Sequence, residues 1–274
     1  MIKVQKIIKY CAIAFAIFLI ISITSLIFQV LIAISSLTNS NNSNRIEINE
    51  GLKSIDISEN IKNIEIDVAS SKITIIEEGT KIKVETDNEK IKVKERNNQL
   101  IITEKNSNIF KFNNDTELII YLPKNISFNE VNIDAGAGAI DIDYLNTKDL
   151  ELSLGAGKVE IENLTVSNET EIDGGAGEVY IQNSQINNLD LDMGVGKLTL
   201  NTSLTGINKI DAGIGELNIE LTDSLDNYKI KLNKGLGNAT LNNEKMTNDT
   251  YYGSGNNLID IDGGIGNIKI NYSR

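Results

Sequence analysis

Four carboxylates, Glu171, Asp173, Asp190 and Asp192, occupy equivalent places ahead of two glycine pairs, in EIDGGAGEVYIQ (171–182) and LDLDMGVGKLTL (189–200). On adjacent strands they would form an acidic patch. Calcium, which takes about six to eight oxygen ligands, is the cation such a patch suits, with backbone or water completing the shell. Carboxylates with calcium could also cleave an acidic polysaccharide, which makes a carboxylate-dependent polysaccharide-active enzyme a remote alternative. The bland alternative is a turn cap: a carboxylate accepting a turn N–H returns about 1.5–3 kcal/mol. That exceeds the roughly 0.9 kcal/mol repulsion of two like charges about 4.8 Å apart in water. GGAGEVYIQ departs from the calcium-binding GGxGxDxUx repeat by placing Val179 where an aspartate belongs. Capping is therefore the leading reading of these residues.

Little else in the chain suits catalysis. There is no His, and so neither the usual general base nor the commonest metal ligand. The single Cys, Cys11, lies in an apolar run and can form neither an intrachain disulfide nor a cysteine metal cluster. The net charge of −12 and scarce aromatics argue against nucleic acid, whose phosphates require Lys and Arg stripes. We expect no catalytic residues and no organic cofactor.

The glycines belong to a repeat. Gly-x-Gly with an apolar middle residue begins at Gly136, Gly155, Gly175, Gly194, Gly213, Gly235 and Gly264, at spacings of 19, 20, 19, 19, 22 and 29. Such a period marks a solenoid. In every copy an apolar residue stands three before the first glycine and two more stand four and six after it, as Ile172, Val179 and Ile181 do. This is period-two alternation on both sides, so two short strands joined at a bend are expected. No helix pattern follows the glycines, which removes the phosphate-loop reading. The middle residues, Ala137, Ala156, Ala176, Val195, Ile214, Leu236 and Ile265, read as an inward column. The column three after the first glycine alternates Lys158, Glu178, Lys197, Glu216, as parallel in-register stacking would produce.

The rest of the chain supplies an anchor and a cap. Residues 1–9 carry Lys3, Lys6 and Lys9, and residues 10–38 follow without a charge. That run is long enough to span a bilayer, and the lysines place the N-terminus in the cytoplasm. A polar Asn/Ser linker, 39–52, leads to an extracytoplasmic domain, 53–274. Setting the three lysines aside leaves 23 basic against 38 acidic side chains, so about −15 faces outward and favours cations or basic partners. Within the domain, 53–130 alternates without glycine pairs and reads as atypical capping strands; 131–274 holds the Gly-x-Gly rungs. The fold class is all-β: a single-stranded parallel β-solenoid (β-helix) with about 19–20 residues per rung, behind one N-terminal transmembrane helix. TNDTYYGSGNN (247–257) expands the last spacing, making Tyr251 and Tyr252 interaction candidates or covers for the core end.

The run IKNIEIDVASSKITII, KIKVE and ELIIYLPKNISFNEVNIDAGAGAIDID, with Leu122-Pro123 ahead of the stacked glycine pairs, resembles the bacterial adhesin-like family of β-strand repeats. Its members are also called toastrack domains. The resemblance covers nearly all of 53–274 and implies a domain of unknown function, found in Lia-type and phage-shock-type envelope-stress systems, with no catalytic residues to carry over. It points to a membrane-anchored scaffold or sensor in envelope homeostasis, with an envelope protein as partner. A surface adhesin or a calcium- or glycan-binding module is the alternative.

Overall fold

The computed structural model describes residues 52–58, 60–104 and 116–273. They belong to one compact unit, Ile48–Arg274. The expected basic tail and anchor lie outside the described residues, among which no helix is long and apolar enough to cross a membrane.

The described residues form fifteen strands and one short 3-10 turn. At the start stand β1 (Lys53–Asp56), β2 (Asn63–Glu77), β3 (Lys83–Thr86), β4 (Ile91–Arg96), β5 (Gln99–Glu104) and β6 (Glu117–Leu122). The long rungs are β7 (Phe128–Ile142), β8 (Leu145–Glu162), β9 (Leu164–Asn187), β10 (Leu189–Thr205) and β11 (Ile207–Leu221). The far end holds β12 (Tyr228–Leu241), β13 (Glu244–Lys245), β14 (Thr250–Tyr252) and β15 (Asn257–Tyr272).

Strands β7 to β11 stack in parallel in chain order, and three successive turns of the coil carry Leu152 to Ile172, to Leu191 and to Ile210. The solenoid is therefore all-β and parallel through its middle. The apolar column three before the glycines lines the interior: Ile133, Leu152, Ile172, Leu191, Ile210, Ile261 and Leu232 are each at most 1 % exposed. Burying each such side chain stabilises the fold by about 1.5–3 kcal/mol. Asparagines turn the corners between straight segments. Asn163, Asn183 and Asn188 adopt φ of 52°, 50° and 46°, the left-handed region that Asn tolerates better than other non-glycine residues. Asn163 Nδ2 also donates to the Asp143 carbonyl at 3.0 Å.

Three features depart from the sequence reading. First, the last two glycine rungs are exchanged in space. β15 lies between β11 and β12, so Ile261 pairs with both Ile210 and Leu232. The chain skips one rung through the 3-10 turn Leu225–Asn227 and then doubles back to fill the gap. Tyr228 anchors this skip. It is fully buried, its hydroxyl donates to Asp223 Oδ2 at 2.9 Å, and burial with that carboxylate pushes its pKa up to about 12.

Second, β2 is itself a rung rather than a cap strand. Its ladder with β7 matches Ile66 to Ile133, Asp67 to Asp134, Ser70 to Ala137 and Ser71 to Gly138. It lacks the glycines for a steric reason. A Cβ at Gly157 or Gly177 would run into the carbonyl oxygen of the glycine on the preceding rung. Among the described residues no further strand is stacked beside the middle of β2: β5 covers Asn63–Asp67 and β6 covers Lys72–Glu77. The Glu104 carboxylate occupies the gap and accepts from the Ala69 N–H at 2.9 Å. The remaining cap is an antiparallel meander of β1, β3 and β6, with the β4–β5 hairpin beside it.

Third, the chain does not break at the glycines; each strand runs through them. The second glycine of each pair has φ between 140° and 152°, which shifts the in–out alternation by one residue. The residue before the pair points inward, as Leu154 and Met193 do at 4 % and 5 % exposure. The expected inward column therefore lies on the outside of a corner. Ala137, Ala156, Ala176 and Val195 are half-buried, while Ile214, Ile265 and Leu236 are 51 %, 53 % and 72 % exposed.

Candidate interaction face

Two ladders of polar residues lie on the outward positions of the straight segment that enters the glycine corner. The nearer one reads, in spatial order, Asp67, Asp134, Ser153, Asp173, Asp192, Asp211, Asp262, Asn233. Insertion of β15 makes four consecutive aspartates, Asp173 to Asp262. In chain order the run ends at Asp211, because Asn233 comes next. The farther ladder reads Glu65, Asn132, Glu151, Glu171, Asp190, Lys209, Asp260, Lys231. Lys209 pairs with Asp190 at 3.4 Å and Lys231 with Asp260 at 3.1 Å.

The four carboxylates singled out from sequence are thus brought together, Glu171 opposite Asp190 and Asp173 opposite Asp192. Their surroundings are more acidic than two repeats suggest. A surface groove of about 510 Å³ is lined by Glu130, Asp149, Glu151, Glu169, Glu171 and Asp190, with Lys209 at one end. Burial and the charges of Glu151, Asp173, Asp190 and Asp192 raise the Glu171 pKa. The Asp211 pKa is raised by burial and by the neighbouring carboxylates Asp192, Asp262 and Asp190. Glu151 was recoverable from sequence as the same repeat position one rung earlier; Glu130, Asp149 and Glu169, each six residues before a first glycine, form a second column that the repeat also contained.

The expected turn cap is not how these aspartates are used. Because the strand continues through the corner, its N–H groups are taken by neighbouring rungs, and Asp211 stands beside Asp192 on the next rung instead. The carboxylates also stand side by side and do not converge. Among the described residues no group of three or more acidic side chains is placed to hold a metal ion.

The charged column beyond the corner follows the expected register: Lys158 opposite Glu178, Glu178 opposite Lys197, Lys197 opposite Glu216. The ion pair of Lys158, however, is with Glu160 on its own strand, at 2.7 Å. Tyr251 and Tyr252 sit in β14, which pairs antiparallel with β12 and covers the end of the coil. Tyr251 is 53 % exposed, with the Lys229 Nζ 4.3 Å from its ring centre. The Tyr252 hydroxyl accepts from the Thr247 N–H at 2.7 Å.

A coil of parallel rungs with glycine corners, closed by antiparallel caps, defines a β-solenoid repeat protein. The chain belongs to the toastrack family: the family model Toastrack DUF4097 matches residues 61–263. A solved candidate cell adhesion protein from Clostridium sporogenes is 19 % identical, with a TM-score of 0.41, covering 81 % of this chain and 99 % of its own. A candidate adhesin from Bacteroides fragilis is 15 % identical, with a TM-score of 0.40, covering 81 % and 98 %. No curated protein matches the chain.

Proposed function

We propose that this toastrack chain is a membrane-anchored, extracytoplasmic interaction domain that serves bacterial envelope homeostasis as a scaffold or sensor, without chemistry of its own. The observation that carries this reading is the spreading of its acidic groups along a ladder. Glu151, Glu171 and Asp190 occupy one repeat position on successive strands, about 4.8 Å apart. Such a face meets an extended or repeating partner surface better than a single reacting atom. Its charge favours a basic partner. The apolar run 10–38 behind three lysines supports the anchor. In-cell crosslinking from the groove, with deletion of the protein, tests the proposal. Capture of a membrane or secreted protein and altered envelope-stress signalling are expected. An unchanged response with the signalling system intact would overturn it.

The four stacked aspartates favour a second reading, a calcium-binding surface module or adhesin. Calcium would have to draw Asp173, Asp192, Asp211 and Asp262 together, and a melting temperature that rises with calcium but not with magnesium is its signature.

A further inference from the structure

We propose that the glycine corner is a self-association surface on which two copies of this chain meet with their coils antiparallel. Among the described residues five large apolar side chains are exposed, and three of them, Ile214, Leu236 and Ile265, belong to the one column between the glycines. In spatial order that column reads Ala137, Ala156, Ala176, Val195, Ile214, Ile265, Leu236. Side-chain size rises along it from one end to the other. A two-fold axis running along the strands, between Val195 and Ile214, reverses one copy and turns this gradient into a match. Val195 then meets the second copy's Ile214, Ala176 its Ile265, and Ala156 its Leu236, so small faces large at every step.

Charge agrees with this placement. Two residues beyond the apolar column, Glu178, Lys197 and Glu216 are exposed and alternate in sign. The same axis sets Lys197 against the second copy's Glu216, twice over. The parallel arrangement, with the axis along the coil, fits worse. It stacks Leu236 on Leu236 and Ala156 on Ala156, leaving a gap at one end, and brings Glu178 and Glu216 against aspartates.

Strand addition at the β12 end of the coil is blocked by other means. β14 and β13 cover both ends of β12, and Asn248 fills part of the remainder, accepting from the Lys234 N–H at 3.0 Å and donating to its carbonyl at 2.9 Å. Edge protection of this kind suppresses strand addition. The column spans six rung steps, about 29 Å, and is narrow. It buries less than the roughly 800 Å² per copy of a stable complex, so the pair is weak and reversible. Opposing it are the aspartates behind the corner: the same axis sets Asp192 against the second copy's Asp211, twice over.

The test uses the full chain in detergent with Cys11 replaced by Ser, as two differently tagged versions. Ala156→Cys mixed with Leu236→Cys is expected to yield a disulfide-linked pair, while Leu236→Cys alone is not. Lys197→Glu and Glu216→Lys are each expected to lose co-purification with themselves at least tenfold, and the mixture of the two to recover it. Within-chain effects cannot produce that rescue, because each chain keeps its own altered charge. Asp192→Asn with Asp211→Asn should strengthen the pairing. A wild-type chain that sediments as a monomer at high micromolar concentration would overturn the proposal. So would self-crosslinking of Leu236→Cys, or charge variants that pair as the wild type does.

Discussion

Asp211 of β11 and Asp262 of β15 stand opposite each other in a parallel ladder, although Asn233 holds the same repeat position between them in the chain. The carboxylates come together only because the chain passes one rung and returns to it. Asp211 thereby has an acidic neighbour on each side, Asp192 and Asp262. Replacing Asp211 with Asn should raise stability at neutral pH by about 1 kcal/mol, the size of one such repulsion in water. Urea unfolding of the two proteins at pH 7 checks this, and a loss of stability would count against a repulsive ladder.

The same crowding sets a pH dependence. Burial, with neighbouring charges, holds Asp141, Asp143, Glu171 and Asp211 above their ordinary carboxylate values in the folded protein. A folded pKa above the unfolded one contributes stability below the unfolded value and loses it as pH rises through the folded value. Glu85 acts in the opposite sense: burial raises it, but its hydrogen bonds with Lys83 and Tyr121 outweigh that and lower it. Its contribution is lost only as pH falls through a value below 4.5. The urea midpoint should therefore be higher at about pH 5 than at pH 8, and Asp211→Asn should narrow the difference.

Gly177 has φ of 145°, and a Cβ there would strike the Gly157 carbonyl. Gly177→Ala should cost about 3 kcal/mol or more, combining backbone strain with a clash that neither rung can relieve. At Ser71, the matching position in β2, a side chain is already accommodated. Ser71→Ala should cost only about 1 kcal/mol, chiefly its hydrogen bond to Thr116 at 3.0 Å. Thermal melts of both variants separate crowding by a stacked rung from a general intolerance of the corner.

Asn208 is fully buried and ties together two strands on either side of its own. Its Oδ1 accepts from the Leu189 N–H at 3.1 Å and its Nδ2 donates to the Leu258 carbonyl at 3.0 Å. Asn208→Leu fills similar space but leaves two backbone groups unpaired, at about 1–3 kcal/mol each. A midpoint shift well under 1 kcal/mol would show that water or a local shift replaces the amide.

Tyr251 and Tyr252 should separate when replaced singly. Tyr251→Ala removes an exposed ring and a cation–π contact worth about 0.5–1 kcal/mol. Tyr252→Ala removes a ring packed on the core and the acceptor for Thr247, so its loss in melting should be the larger. If Tyr251→Ala lowers partner capture while melting barely moves, the exposed ring belongs to a binding surface.

Much of this protein follows from its residues in order. The period near 19, the flanking apolar positions and the alternating Lys158, Glu178, Lys197, Glu216 column specify parallel rungs in one register, because identical steps stack like on like. Even the first rung was readable: NIEIDVASSKITI (63–75) has the spacing of the glycine repeats with Ala69, Ser70 and Ser71 at the corner. What hid it was the missing glycine, and glycine is required only where another rung presses on the corner. The reversed corner was also latent. Inward residues one before and four after the first glycine, as at Leu154 and Val159, are an odd number apart, which strict alternation forbids. Two matters belonged to tertiary structure alone. The order of the last rungs is not written in the repeat, since β12 and β15 carry nearly the same pattern, and only the structure places β15 between β11 and β12. The turning outward of Ile214, Leu236 and Ile265 depends on the positive φ of the second glycine, a conformation glycine allows but does not dictate. That one backbone choice converts a presumed core column into an exposed stripe.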